Sequence, residues 1–169
     1  MYIENLLLKK KSILLNAWIT MILEGFSSEN SIFLRSEKNR FRNPIAYQIS
    51  QGIQVIYDAL SEGKDPIDIS PFLDDIIKIM AVQELSPSKA ISFISHLKHI
   101  VRKELKDDPG KERMTDELLL FESKLDELTF ISFDVYMGYR EKLFALKARD
   151  ARNRVGGLLR MAGLAVDVD

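Results

Sequence analysis

Large apolar side chains recur every three to four residues along most of this chain. That spacing places them on one face of an α-helix, whereas a half-buried strand would alternate apolar and polar residues. No such alternation persists long enough to predict a strand. The pattern therefore predicts an all-α fold of five main helices, the last of them unusually long.

The first helix is predicted from the apolar run Ile13 to Leu23, which precedes Gly25. A glycine at that place is typical of a helix end. The run follows three lysines and so imitates a targeting signal, but it is too short to cross a bilayer, which takes ~20 apolar residues. We therefore expect a core helix and no membrane partner. Its stripe consists of Leu7, Leu14, Trp18, Met21 and Ile22.

Three later helices are predicted from one local signal, a side-chain hydrogen-bond acceptor followed by proline. The pairs are Asn43-Pro44, Ser70-Pro71 and Ser86-Pro87. Proline suits the first helical position because the N–H that it lacks would have no partner there. The predicted helices span residues 44–62, 71–84 and 87–106. Residues 27–42 are predicted to form a loop with one short helical turn near residues 32–35.

The last predicted helix, at about 116–155, contains no proline and would be about 60 Å long. Its apolar residues occupy two faces, and two apolar faces imply two neighbours. We predict that the first face is a dimer interface between two copies of the chain; the alternative is a helix wrapped wholly by its own domain. Residues 156–169 are predicted to be a loose tail. The first face consists of Leu118, Phe121, Leu125, Leu128, Val135 and Tyr139, and the second of Leu120, Phe130, Phe133, Met137 and Phe144.

Composition and charge limit the classes of partner. The chain has 169 residues, 46% of them hydrophobic and 29% charged, which suits one soluble domain over residues 1–169. Its net charge of -1 gives no general attraction to nucleic acid or anionic lipid. The basic residues after Tyr139 are interrupted by Glu141 and Asp150, so we expect a solvated face and no nucleic-acid partner. The absence of cysteine excludes disulfides and favours a cytoplasmic protein.

Candidate chemistry is sparse. The only histidines, His96 and His99, share one predicted helix, with His96 at the flank of its apolar stripe and His99 towards solvent. No histidine occurs between Pro71 and Glu84, so that segment offers no imidazole ligand for a haem iron. We expect no metal, no cofactor and no enzymatic activity. A weaker alternative is a histidine phosphotransfer domain that uses His96.

Three short segments, in this order along the chain, resemble one known family. They are Arg42 to Tyr47, Leu73 to Ile77 and Val82 to Ala90, the last followed by Phe93. They are similar to the RsbRD-type N-terminal domain, the sensor half of stressosome co-antagonist proteins. The resemblance implies a globin-like helical domain without haem that dimerises and continues by a long helix into an effector, such as a STAS or kinase domain.

The favoured hypothesis is therefore a dimeric, non-enzymatic sensor domain of bacterial signalling that relays a signal through the long helix to an unknown downstream protein. The alternative is a carrier of small apolar ligands, with a pocket near Trp18, Tyr47, Phe72 and Phe93. The sequence leaves open the signal, the downstream partner, the parallel or antiparallel pairing of the helices, and whether the chain acts alone or with a separate effector.

Overall fold

The computed structural model describes residues 2–25, 44–83, 85–106 and 115–163. Within these ranges no strand occurs, and the all-α prediction with a long C-terminal helix is confirmed. The predicted loop at 27–42, its helical turn and the cap at Asn43 lie outside the described residues. The helices are α1 (Tyr2–Lys9), α2 (Lys11–Gly25), α3 (Pro44–Ser61), α4 (Pro66–Val82), α5 (Pro87–Leu105) and α6 (Thr115–Met161).

The N-terminal segment forms two helices where the apolar stripe predicted one. Lys10 separates α1 from α2, and its carbonyl accepts the first N–H bonds of α2. The start of α1 is held by the carboxylate of Glu117 in α6, which accepts the backbone N–H groups of Tyr2 and Ile3. A carboxylate at a helix N-terminus satisfies free donors and complements the helix dipole. A distant residue of α6 therefore fixes the beginning of the chain.

Helix α4 begins five residues before the predicted start at Pro71. The helix opens instead with Asp65 at the N-cap and Pro66 at the first position, an equivalent signal that the prediction overlooked. Pro71 lies inside the helix, where its missing N–H leaves the carbonyl of Ile67 without its usual donor. The hydroxyl of Ser70 donates to that carbonyl at 2.9 Å. Ser70 therefore compensates for the proline and does not cap a helix.

The end of α3 is a Schellman motif at Gly63. This glycine has φ 76°, a conformation that side chains with a Cβ rarely adopt. The N–H of Gly63 donates to the carbonyl of Leu60 at 3.1 Å, and the N–H of Lys64 to that of Ala59 at 3.1 Å, which is the 6→1 and 5→2 pattern of the motif. The short connection that follows allows α3 and α4 to pack as neighbours.

The core lies between α2, α3, α4, α5 and the first half of α6. Trp18 of α2 connects two of these helices, since its Nε1–H donates to the carbonyl of Phe93 at 2.6 Å and its ring stacks on that of Phe93 with centroids 6.3 Å apart. The hydroxyl of Tyr57 donates to the carbonyl of Leu7 and joins α3 to α1. Buried polar groups of this kind are satisfied by main-chain acceptors, as stability requires. The largest fully buried side chains include Trp18, Tyr57, Tyr136, Phe93, Leu14, Ile49, Ile53 and Leu73.

Helix α6 spans 47 residues, about 70 Å at 1.5 Å per residue. It begins at Thr115, one residue before the predicted start, and ends at Met161, six residues beyond the predicted end. The predicted loose tail from residue 156 is therefore wrong up to Met161. Glycine costs a helix about 1 kcal/mol relative to alanine, and Gly156 and Gly157 do not end this one. The described helix gives way at Gly163, which has φ 68°.

Candidate functional site

The inner face of α6 packs against α4 and α5 of its own chain. Phe121, Leu125 and Leu128, three members of the predicted dimer interface, are buried there, together with Tyr136. Side chains that their own core covers are not available to a second subunit, so the structure corrects their assignment from interface to core. The other three members, Leu118, Val135 and Tyr139, are half-buried at the edge of the same core. Dimerisation itself stays a prediction.

An ion pair between a buried carboxylate and an exposed guanidinium fixes the inner face to α5. Glu122 is only 7% exposed, and the guanidinium of Arg102 donates to both of its carboxylate oxygens, with Nη2 at 2.7 Å from Oε2. The hydrogen bonds from Arg102 lower the pKa of Glu122, and the positive charges of Arg102 and Lys98 act in the same direction. One turn further along, Lys98 Nζ lies 2.5 Å from Asp126 Oδ1. Two ion pairs therefore join consecutive turns of α5 and α6.

Polar contacts also tie α6 to the far end of α4. The hydroxyl of Tyr139 donates to Asp74 Oδ2 at 2.6 Å, and this hydrogen bond, together with burial, raises the pKa of Tyr139 to about 12. Arg140 Nη1 donates to the carbonyl of Ala81 in the last turn of α4 at 3.2 Å. Tyr136 donates to the carbonyl of Leu85, just after α4. The inner face is thus anchored along its length, from Glu117 to Arg140.

The outer face of α6, on the opposite side of the helix, is apolar and exposed. We define it as Leu119, Leu120, Phe130 and Phe133, of which Phe130 is the most exposed at 71%. At 100° per residue Phe130 points about 150° away from the centre of the buried face, and Phe133 about 90° away from it. These residues, except Leu119, belong to the second apolar face that the sequence predicted. The helix therefore packs against its own chain on one side and has exposed apolar residues on the other.

The last third of α6 extends beyond the globule. Leu143 is the last residue of α6 that packs against the core, and every residue from Phe144 to Val155 is exposed. We call residues 144–161 the projection. From Arg140 to Met161 the helix carries seven basic and two acidic side chains. Arg140 itself lies over the ring of Phe144, 4.7 Å from its centroid, at the point where the projection leaves the globule.

The four residues of the predicted pocket lie in two places. Trp18 and Phe93 are buried against each other in the core. Tyr47 and Phe72 instead line an open groove of about 680 Å³ between α3 and α4. Gly52 lies at this groove, where a Cβ would come within 2.8 Å of the Ile76 side chain, so the two helices approach each other closely there. Of the four predicted pocket residues, Tyr47 and Phe72 are therefore the two that a ligand in the groove could reach.

His96 lies beside a small cavity of about 220 Å³ between α2, α4 and α5. Its Nδ1 is buried with no hydrogen-bond partner among the described residues. Burial lowers the pKa of His96, and the nearby His99 lowers it further. His96 is half-buried and His99 exposed, as the helical spacing predicted. Among the described residues no group of three or more His, Asp or Glu side chains could hold a metal ion.

None of the described helices is both long and apolar enough to cross a membrane.

Sequence reasoning missed two residues that position α6. Neither Glu122 nor Tyr136 belongs to the two faces that the sequence predicted for the last helix. On a helical wheel both residues lie near Leu125, within the arc of α6 that faces the core. That placement was the available signal for Glu122, because a carboxylate on an apolar face needs a cationic partner.

The fold and the two faces of α6 define an all-α domain whose longest helix is shared between its own core and an exposed projection. The family model described as "RsbT co-antagonist protein rsbRD N-terminal domain" matches residues 14–151. This chain belongs to that family, and its resemblance to it is confirmed. It is therefore a stressosome-associated signalling domain.

A curated protein of uncharacterised function from Archaeoglobus fulgidus is similar to this chain, with 31% identity over 93 residues. The match covers 54% of this chain and 57% of that protein, so the chain matches little more than half the length of this relative. No solved structure matches the chain. The globin-like arrangement that the resemblance implies therefore stays a prediction.

Proposed function

We propose that this domain is a non-enzymatic regulatory module that pairs with a second copy through the outer face of α6 and relays a signal along the projection to a downstream protein. One observation carries the proposal: α6 is anchored to its globule on one side and presents Phe130, Phe133 and their apolar neighbours to solvent on the other. Large apolar side chains that are exposed close together, as Phe130 and Phe133 are one turn apart, often mark an interaction site.

A twofold pair is the simplest cover for the outer face. An isologous dimer uses the same patch on both subunits, so each phenylalanine is buried by the partner's copy of the same surface. Both a parallel and an antiparallel pairing of α6 would satisfy this condition. The charged residues Glu127 and Asp134 lie one turn before and one turn after Phe130 and would form part of the polar rim that such interfaces have.

The relay would act through the anchors on the inner face. The ion pairs to α5 and the hydrogen bonds to α4 hold α6 as a rigid lever, and the projection reaches about 27 Å beyond the globule. A tilt of about 10° at the anchors would displace its tip by about 5 Å, a shift large enough to change contacts with a partner. A change in the packing of α4 against α6 is the movement that would produce such a tilt.

Sedimentation velocity over a range of micromolar concentrations tests the proposed dimer. We expect a concentration-dependent shift from monomer to dimer for the unaltered chain and only monomer for Phe130→Glu. The matched control is Ile13→Glu, which introduces the same charge at an exposed apolar residue of α2. If the unaltered chain stays monomeric, or if both variants dissociate equally, the proposal is wrong.

A second candidate function is favoured by the groove between α3 and α4. Its lining combines apolar side chains such as Tyr47, Phe72 and Ile79 with one cation, Lys78, and one carboxylate, Asp75. The apolar side chains suit a small apolar ligand, and Lys78 would bind an anionic end of it. Thermal-shift measurements with medium-chain fatty acids test this: ligand binding would raise the midpoint, as mass action requires. Lys78→Ala should reduce that shift, whereas a shift that persists unchanged would place the binding elsewhere.

A further inference from the structure

The projection carries its own apolar seam, distinct from both faces of the globular part of α6. Exposed apolar residues follow each other at intervals of four, three, four and three, which is the heptad spacing of a coiled-coil seam. The Arg140 guanidinium lies over the ring of Phe144 at the start of the seam, and no seam residue is among the partly buried side chains that pack against the core. The seam consists of Phe144, Ala148, Ala151, Val155 and Leu158.

The positions that flank this seam carry only positive or neutral side chains. Lys147, Arg152 and Arg154 occupy flanking positions of the heptad, beside the residues that would meet a partner helix. The only acidic residue of the projection, Asp150, occupies an outer position that faces away from the seam. All three basic side chains belong to residues that are exposed in the structure.

We infer that the projection docks a helix of another protein whose flanking positions are acidic. The inference rests on the relay role proposed above and names the chemistry of the downstream partner. Glutamates at the flanks of the partner helix would pair with Arg152 and Arg154, since charges at these positions determine which helices associate.

The charges exclude a second projection as the occupant. If two copies paired in parallel, Lys147 of one would lie beside Arg152 of the other, and an antiparallel pair would also bring basic flanks together. Like charges at flanking positions select against self-pairing. The twofold contact proposed for the outer face therefore does not extend along the projection.

The small residues at the centre of the seam favour a helix over a lipid surface. Ala148 and Ala151 offer little apolar area for insertion into a bilayer, where binding depends on buried apolar surface. The same two alanines allow a second helix to approach closely, because the distance between packed helices depends on the side chains at the contact. Binding to an anionic membrane is thus the less favoured outcome, and the experiment includes it.

The test uses the full chain and two synthetic helical peptides of about three heptads, identical except for glutamate or lysine at the flanking positions. Fluorescence anisotropy of the labelled peptides gives the affinity. We expect the glutamate peptide to bind at micromolar concentration, more weakly as salt is raised, and the lysine peptide to bind at least about tenfold more weakly.

Two variants of equal net charge separate a docking seam from general attraction. Arg152→Glu with Arg154→Glu reverses the flanks, whereas Arg149→Glu with Arg160→Glu reverses two outer positions. We expect the first pair to weaken binding of the glutamate peptide by roughly tenfold or more and the second to leave it nearly unchanged. Ala151→Asp, which places a charge in the seam, should abolish binding.

Several results would overturn the inference. These are equal binding of both peptides, equal effects of the two charge variants, no binding of the glutamate peptide, and binding only to phosphatidylserine vesicles. Sedimentation of the same samples keeps the two proposals apart. Lost peptide binding with intact self-association refutes the docking seam alone, and a monomer that still binds the glutamate peptide refutes the proposed dimer alone.

Discussion

Replacing Leu125 and Phe130 separately with alanine distinguishes the two faces of α6. Leu125 is fully buried against the chain's own core, and Phe130 is 71% exposed on the opposite side. We expect Leu125→Ala to destabilise the fold without changing self-association once folded. We expect Phe130→Ala to weaken self-association with little effect on the stability of the monomer.

The expected magnitudes follow from burial. Leu125→Ala removes buried methyl groups and leaves a cavity, which costs about 2–5 kcal/mol. Phe130 has little packing to lose in the monomer, so the change in the free energy of unfolding should stay within about 0.5 kcal/mol. Full burial of a phenylalanine is worth about 1.5–3 kcal/mol, so covering the exposed 71% of Phe130 contributes roughly 1–2 kcal/mol per copy. Two copies per dimer then give a loss of about 30- to 1,000-fold in affinity.

Trp18 is the chain's only tryptophan and is buried, so its emission reports unfolding in urea at a concentration low enough to keep the protein monomeric. Sedimentation velocity of folded protein gives the dissociation constant of the dimer. If Leu125→Ala weakens association at unchanged stability, or if Phe130→Ala leaves the dissociation constant unchanged, the assignment of the two faces is wrong.

Three further perturbations test the core and its anchors. The fold lowers the pKa of Glu122, so the ionised carboxylate stabilises the fold above the unfolded pKa, and this stabilisation is lost as the pH falls through the folded pKa. The urea concentration at the unfolding midpoint should therefore fall more between about pH 6 and pH 3 for the unaltered chain than for Glu122→Gln. Gly63→Ala should cost about 1 kcal/mol or more, because its φ of 76° disfavours a Cβ, whereas Gly138→Ala, in open space on a helix, should stabilise by up to about 1 kcal/mol in thermal unfolding. Trp18→Phe loses the hydrogen bond to the Phe93 carbonyl and should cost about 1–3 kcal/mol, measured by circular dichroism; an unchanged midpoint would contradict its role in joining α2 to α5.

Local signals predicted much of the fold because they act within a few residues. Pro87 opens α5 as predicted, since a proline at the first helical position depends only on its own turn, although the side chain of Ser86 makes no capping hydrogen bond. Ser70-Pro71 carries the same signal and was misleading, because Asp65-Pro66 opens the helix five residues earlier and Ser70 donates its hydroxyl to the carbonyl that Pro71 leaves unpaired. Two competing starts of equal local quality cannot be ranked without the packing of the helix.

Periodicity identified two apolar faces of α6 but could not decide which neighbour covers each. Phe121 and Phe130 have the same side chain and the same helical context in the sequence, yet one is buried by the chain's own core and the other is exposed. The difference comes from α4 and α5, which lie far away in sequence. The same limit explains the pocket: Trp18 and Phe72 are both aromatic residues on apolar stripes, and only the packing of the helices places one in the core and the other at an open groove.

The distance between the two copies of α6 in solution tests the central claim most directly. The chain contains no cysteine, so Glu127→Cys, beside the outer face, accepts a single spin label, and Asn16→Cys on α2 provides the control. Helices that pack against each other lie 8–10 Å apart, so pulsed electron paramagnetic resonance should give a distance between the two labels at residue 127 below about 30 Å and a longer one for residue 16. The absence of any coupling between labels at residue 127, or a shorter distance at residue 16, would contradict a dimer that is formed by the outer face of α6.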